Sequence, residues 1–381
     1  MKRWERKKLG EIAAVQMGQS PPGETYNSDG VGLPFFQGKA EFGEEHPTRV
    51  KWCSQPSRVA EAGDILLSVR APVGPTNFAT ERCCIGRGLA AIRGKPKNCN
   101  QRYIRYYLKR FESDIVARGV GSTFTAINRN DIERLELPVP PMPEQERIVK
   151  LLDEADELRK LRAQADRRTA DLIPALFYEM FGNPVSNSLR LPSARLEDIA
   201  SVERGRFSPR PRNDPSYYGG EYPFIQTGDI ADSGGFLTRW KQTLNERGRC
   251  VSKEFPLGTI VIAIVGATIG QTAILGQPVY ATDSVVGIQP KPHRALPEYV
   301  IVVLQRWRPI FLAQAPETAR ANLNAATLKA LEIPVPPLPL QEEFAARVSD
   351  IRAVQAEQAA SRRRLEDLFQ SMLHRAFQGE L

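Results

Sequence analysis

One twelve-residue string occurs twice in this chain, and that recurrence constrains the fold more than any other feature. Leu135-Glu136-Leu137-Pro138-Val139-Pro140-Pro141-Met142-Pro143-Glu144-Gln145-Glu146 returns 196 residues later as Leu331-Glu332-Ile333-Pro334-Val335-Pro336-Pro337-Leu338-Pro339-Leu340-Gln341-Glu342. Nine of the twelve positions are identical and two more exchange one apolar residue for another. Similarity at this level marks an internal duplication. At the same offset Tyr103 meets Tyr299, Asn128 meets Asn324, and Arg167, Arg168, Asp171, Leu172 and Phe181 meet Arg363, Arg364, Asp367, Leu368 and Phe377. Nearer the N-terminus, Gly18-Gln19-Ser20-Pro21 echoes Gly205-Arg206-Phe207-Ser208-Pro209, and Pro34-Phe35-Phe36-Gln37 echoes Pro223-Phe224-Ile225-Gln226. The offset drifts from 187 to 196, so insertions separate the blocks, as surface loops allow. A chain of 381 residues accommodates two or three domains; the repeat makes it one globular-plus-helix unit used twice.

The proline strings are the punctuation. Proline fixes φ and pushes its predecessor into extended geometry, so each string predicts a stiff joint ahead of a helix. In the first copy Leu151, Ala155, Leu158, Arg162, Ala165, Thr169, Leu172 and Leu176 follow alternating 4,3 spacing. In the second, Phe344, Val348, Ile351, Val354, Gln358, Ser361, Leu365, Leu368 and Met372 form a comparable series. Both read as coiled-coil seams with polar middles, able to bury each other. Pro174 is expected to kink the first helix.

In the globular segments, residues 63–69 and 258–264 read as buried strands behind a glycine turn, and residues 96–110 and 296–305 as short helices. The expected class is α+β (mixed α/β), with pseudo-twofold repeats: a globular domain over 1–143, a helix over 144–183, a second globular domain over 184–339 and a second helix over 340–381.

The formal net charge of +8 is unevenly shared. Residues 144–181 hold 7 Lys and Arg against 9 Asp and Glu, and residues 340–381 hold 6 against 7. The globular segments therefore carry about +11, which favours an anionic partner. Arg204, Arg206, Arg210 and Arg212 crowd into nine residues around Ser208, with glycine and proline shaping a loop. Arginine on loops with hydroxyl and aromatic neighbours suits phosphate positioning and base-edge contact. A second basic run, Lys2-Arg3-Trp4-Glu5-Arg6-Lys7-Lys8, opens the chain.

Five cysteines and no Cys-x-x-Cys pair fit reduced thiols, not a disulfide framework or a zinc site. The longest apolar stretch, Ile260 to Val265, is far short of a membrane span, so no membrane association and a cytoplasmic location are expected. No phosphate loop or nucleophile elbow occurs, and Gly119-Val120-Gly121 is too short for a dinucleotide fingerprint.

With these residues in hand, the chain resembles the specificity subunits of type I restriction–modification systems over essentially its whole length. The duplicated proline blocks carry the resemblance, together with Ser68-Val69-Arg70-Ala71-Pro72-Val73-Gly74 and Val265-Gly266-Ala267-Thr268-Ile269-Gly270. The second copy departs in having Ala263, Val265 and Ala267 where the first has Ser68, Arg70 and Pro72. The resemblance implies two DNA target-recognition domains separated by two long antiparallel coiled-coil helices. It implies no chemistry and no cofactor in this chain. It also implies three kinds of partner: duplex DNA; two methyltransferase subunits holding S-adenosylmethionine; and restriction (translocase) subunits using ATP and Mg. Each domain would read one half of a split, asymmetric target.

Under that reading the DNA-binding candidates are Arg204, Arg206, Ser208, Arg210 and Arg212, with Gln19 and Ser20 as their repeat equivalents. Lys39, Arg49, Lys51 and Arg70 follow in one half, and Arg239, Lys241, Arg247 and Arg249 in the other. The helix candidates, for pairing or partner docking, are Leu151, Leu158, Leu161, Leu172, Phe177, Phe181, Ile351, Val354, Leu365 and Leu368. Two competitors stand beside this. A DNA-modifying enzyme with its own recognition domains would need an Asn/Asp-Pro-Pro-Tyr/Phe motif, which Asn183-Pro184-Val185 does not supply. A pure coiled-coil scaffold would be indifferent to salt and DNA.

Overall fold

The computed structural model describes residues 4–95, 99–118, 126–313 and 323–381, without the side chains of 113–118. Lys2, Arg3, Pro96 and Gly119-Val120-Gly121 lie outside the described residues. The chain forms two compact units, residues 1–164 with 359–381, and residues 165–358. These limits differ from the sequence-based domains because each long helix is shared: it begins in one unit and ends in the other.

The globular part of the first unit is built on two larger sheets. One is antiparallel, in the order Ala13–Met17, Leu89–Gly94, Ile65–Ser68, Thr76–Phe78. The other contains Leu33–Phe36 running parallel to Cys83–Ile85, with Phe35 opposite Cys84. The second unit repeats both. Ala200–Arg204, Val285–Pro290, Ile260–Ala263 and Thr272–Leu275 form the antiparallel sheet, extended by Phe236–Leu237. Tyr218–Ile225 runs parallel to Val279–Ala281, with Phe224 opposite Tyr280. Ile65–Ser68 and Ile260–Ala263 are buried along their whole length, which explains their uninterrupted apolar sequence. Gly63 and Gly258, at φ +86° and +81°, make the turns before them.

Each proline string pairs back onto the start of its own repeat. Glu136–Pro138 is antiparallel to Arg6–Lys8, and Glu332–Pro334 to Ser193–Arg195. The aligned asparagines are helix caps: Asn128 accepts from the Asp131 amide at 3.1 Å and Asn324 from the Thr327 amide at 2.8 Å. The aligned glutamines are buried locks. Gln145 accepts from the Asn100 amide and donates to Pro140, both at 2.8 Å; Gln341 accepts from Leu296 at 2.9 Å and donates to Pro336 at 2.8 Å. The lobe helices, Gln101–Arg118 and Pro297–Ala313, run longer than the sequence suggests.

The first connector helix, Met142–Ala170, stops and resumes as Leu172–Phe181. Pro174 explains the break: it has no N–H for the Ala170 carbonyl, and its ring crowds that oxygen. The second connector helix, Leu338–Ala376, is continuous. In the first unit Arg159 meets Glu366 at 2.6 Å and Arg147 reaches the Leu381 carbonyl at 2.6 Å. In the second unit Thr169 donates to Gln358 at 2.7 Å, and Gln355 to the Thr169 carbonyl at 2.9 Å. Residue numbers rise along one helix as they fall along the other, so the segments are antiparallel within each unit. The polar middle of the seam is thus a set of side-chain hydrogen bonds.

The seam itself needs correction. Leu158, Leu172, Val354 and Leu368 are exposed, at 45% or more, and Leu151, Ile351 and Leu365 are half-buried. Of the seam, Ala155, Phe344 and Val348 are buried as expected; the rest of the buried stripe is Ile148, Val149 and Leu152 on the first helix and Phe369, Leu373 and Phe377 on the second. The physical reason is that each segment packs on a lobe helix as well as on the other connector, so burial follows the 3.6-residue period of a globular helix and not a two-helix seam. Phe177 and Phe181 are also corrected. As partner-docking candidates they should be exposed, yet they are 0% and 1% exposed. They pack on Tyr299 at 5.4 and 4.9 Å and on Phe344 at 5.6 and 5.3 Å.

Candidate nucleic-acid interface

The arginine string lies where the strand Ala200–Arg204 leaves its sheet. The Gly205 amide donates to Val285 at 2.8 Å, and the Arg206 amide to Ala281 at 3.1 Å, so the backbone folds over the turn at residues 282–284. A Cβ on Gly205 would stand 2.2 Å from the Thr282 carbonyl oxygen, so only glycine allows this approach. Phe207, 2% exposed, plugs into an aromatic cluster with Tyr217, Tyr218 and Phe224 and anchors the loop. The Tyr218 hydroxyl donates to the Arg212 carbonyl and pins its far end. Burial pushes the Tyr218 phenol above its ordinary value.

Between the two anchors the basic side chains stand outward. Arg204, Arg206, Ser208, Arg210 and Arg212 are all exposed. Arg212 grips Asp283 with one nitrogen 2.6 and 2.8 Å from the two carboxylate oxygens. Arg210 lies 3.7 Å from the same carboxylate and closes on the Pro209 carbonyl at 2.7 Å. Arg204 donates to the Asp283 carbonyl at 2.5 Å. Arg206 turns to the Ser252 carbonyl at 3.3 Å. Arg247 and Arg249 join this corner by lying over Tyr217 and Tyr222, at 5.3 and 5.1 Å from the ring centres. Arg249 also pairs with Glu246 at 2.6 Å. Arg239 is exposed, and Lys241 is held by Asp232 at 2.7 Å.

The first lobe repeats the corner with different side chains. The Gly18 amide donates to Leu89 at 2.8 Å and the Gln19 amide to Ile85 at 3.0 Å. A Cβ on Gly18 would again stand 2.2 Å from a carbonyl oxygen, that of Gly86. The Tyr26 hydroxyl donates to Pro21 at 2.7 Å, as Tyr218 does to Arg212. Burial raises the Tyr26 phenol as well. Gln19 is exposed; Ser20 is half-buried, its hydroxyl 3.4 Å from the Arg87 amide. Lys39, Lys51 and Arg70 are exposed on neighbouring loops, and Arg49 pairs with Glu81 at 2.6 Å.

Sequence reasoning missed Arg87, which is exposed on the turn facing Gln19 and Ser20. It also missed Asp283 and the tyrosines beneath the arginines. The signal for Arg87 is its repeat partner: 196 residues on stands Asp283, so the position is charged in both copies with opposite sign.

On the helices Leu158, Leu161 and Leu368 are exposed in the first unit, and Leu172 and Val354 in the second. Cys53, Cys83, Cys84 and Cys99 are buried. Burial pushes the thiols of Cys83 and Cys99 up to about 12, which keeps them protonated and unreactive. Among the described residues no helix is long and apolar enough to cross a membrane.

The sequence matches the family model described as type I restriction modification DNA specificity domain at residues 1–166 and again at 193–366. A putative type I restriction enzyme MjaX specificity subunit from Methanocaldococcus jannaschii is 42% identical over 161 residues, which is 42% of this chain and 38% of that relative. The chain thus spans under two-fifths of the length of that relative. The type I restriction enzyme EcoBI specificity subunit from Escherichia coli is 24% identical over 99% of this chain and 86% of its own length. A solved chain from a type I R-M system, described for its complex assembly and conformational transition, superposes with a TM-score of 0.64 at 19% identity. That superposition covers 100% of this chain and 99% of the other, and supports the fold.

Proposed function

The chain belongs to the type I restriction modification DNA specificity family, and on that premise we propose that it is the non-catalytic subunit that reads a split, asymmetric duplex DNA target. Each lobe reads one half-site. The corner at residues 18–22 and 86–88 serves one half-site, and that at residues 204–212 and 282–284 the other. Supporting this reading is one observation above the rest: the same strand-to-loop corner is built twice on the same backbone bonds, with different exposed side chains. A shared frame with divergent polar tips suits two unlike half-sequences. Phosphate contacts set register, and base-edge contacts supply the sequence. Two modules on one chain gain affinity through effective concentration.

The chemistry is assigned to partners. Two methyltransferase subunits, carrying S-adenosylmethionine, dock against the connector helices, for which the exposed Leu158, Leu161, Leu172, Val354 and Leu368 provide apolar contact. Restriction subunits with ATP and Mg complete the assembly, in the cytoplasm. The connector helices act as a ruler that sets the unread gap.

The deciding experiment is co-expression with the methyltransferase subunit and mapping of methylated adenines across a genome. A bipartite motif with a fixed gap is expected, and methylation is expected to require both proteins. Methylation by the purified chain alone would overturn the non-catalytic assignment.

A further inference from the structure

The two corners differ most at one position. The backbone bonds from residues 18 and 19 to 89 and 85 match those from 205 and 206 to 285 and 281, which places Arg87 and Asp283 at the same point of the turn. In the first lobe the facing residues 18–22 contain no cation, and the turn itself carries Arg87. In the second the facing loop carries four arginines, and the turn carries an acid. That acid is not idle. Its carboxylate takes the Arg212 guanidinium at 2.6 and 2.8 Å and stands 3.7 Å from Arg210, while its carbonyl takes Arg204 at 2.5 Å.

A carboxylate and a phosphate present the same acceptor geometry to a guanidinium. Asp283 therefore occupies on Arg212 the place a DNA phosphate would take. The contact is open to exchange: the Arg212 side chain is 48% exposed and that of Asp283 29%, and pairs this wet bind weakly. Resting on the reading that this corner faces DNA, we propose that Asp283 is a specificity-determining positioning residue. It holds Arg210 and Arg212 away from arbitrary phosphates and yields them only when the rest of the corner fits its half-site. The first lobe, lacking that acid, offers Arg87 to the backbone directly. The lobes then differ in how they meet phosphate: the first presents its turn cation directly, and the second releases its arginines from Asp283 first.

The test uses the full chain with its methyltransferase subunits and three short duplexes: the mapped target and the same duplex scrambled in one half or in the other. Asp283→Asn keeps the size and removes the charge. It should tighten binding to the duplex scrambled in the second lobe's half-site by about three- to tenfold and steepen the log–log salt slope by about one. The ratio of intact to scrambled affinity should fall, and that loss of discrimination at the second half-site is the readout. Adding Arg212→Ala should reverse the gain. Arg87→Ala should weaken all three duplexes alike and flatten the slope by about one. If Asp283→Asn leaves the scrambled affinity unchanged, or lowers intact and scrambled affinities together, Asp283 only braces the loop and the proposal fails. A wild-type complex that discriminates neither half-site would instead sink the underlying reading.

Discussion

The hydroxyl of Tyr103 donates a 2.9 Å hydrogen bond to the carbonyl of Pro138, and 196 residues later Tyr299 does the same to Pro334 at 2.8 Å. Both rings are fully buried. Each ring also receives the end of a connector helix, Phe377 at 5.0 Å from Tyr103 and Phe181 at 4.9 Å from Tyr299. One tyrosine thus joins a lobe helix, a proline joint and a helix end. Tyr103→Phe and Tyr299→Phe should each cost about 1–2 kcal/mol, the loss of one buried hydrogen bond with the ring retained. Thermal unfolding of the two variants checks this, and equal costs are expected because the two environments match.

Gly205 and Gly18 make the second prediction. Alanine at either would drive its Cβ to 2.2 Å from a backbone oxygen, and backbone cannot rotate away as a side chain can. Each substitution should cost about 1–3 kcal/mol. Gly205→Ala should degrade recognition at one half-site only, and Gly18→Ala at the other. Methylation mapped on targets with single-base changes reads this directly. Equal loss at both half-sites would count against one corner per half-site.

Glu45 gives the pH dependence. The Lys160 ammonium at 2.8 Å, with Arg105 at 3.5 Å and Arg102 at 4.0 Å, holds its carboxyl down to about 2 from an ordinary 4.5. A depressed carboxylate stabilises the fold above its unfolded value, and the stabilisation drains away as pH falls from 4.5 through 2. Glu45→Gln should therefore cost about 1–3 kcal/mol at pH 7, partly because Arg105, only 3% exposed, loses its counter-charge. The gap between the two proteins should close on acidification. Denaturant midpoints measured from pH 7 to 3 test it; a constant gap would mean that the ion cluster is not its source.

Much of the fold was legible because duplication turns weak local signals into paired ones. The repeat pairs Asn128 with Asn324 and Gln145 with Gln341, but only the folded chain shows the first pair to be helix caps and the second to be buried locks. The connector seam misled for a physical reason. A 4,3 apolar series fits two adjacent stripes of the same helix, and the choice between Leu158 and Leu152 depends on a lobe helix distant in sequence. Phe177 and Phe181 lie off that 4,3 series, so nothing in the sequence near them announces the buried contact with Tyr299 and Phe344. The arginine loop was visible in composition. Arg87 is marked only by its oppositely charged repeat partner Asp283, and what it faces depends on the backbone bonds that bring residues 85–89 to residues 18 and 19. Which cations share a corner depends on strand pairing, as Arg204, paired with Val286 and donating to the Asp283 carbonyl, shows.

The ruler yields the final prediction. The two compact units divide at residues 164/165 on one connector helix and 358/359 on the other, and within the second unit Thr169 pairs with Gln355 and Gln358. Lengthening one helix alone would slip that pairing, so both must grow together. Seven residues inserted ahead of Ala165 and seven ahead of Ala359 add two turns, about 10 Å, and rotate each helix face by only about 20°. At ~3.4 Å per base pair the unread gap should lengthen by about three base pairs while both half-sequences stay as they were. DNA turns by roughly 100° over that length, so slower methylation at the new spacing is also expected. Adenine methylation mapped in cells carrying the lengthened chain reports both quantities at once. A changed half-sequence, or an unchanged gap, would remove the helices from the role of ruler.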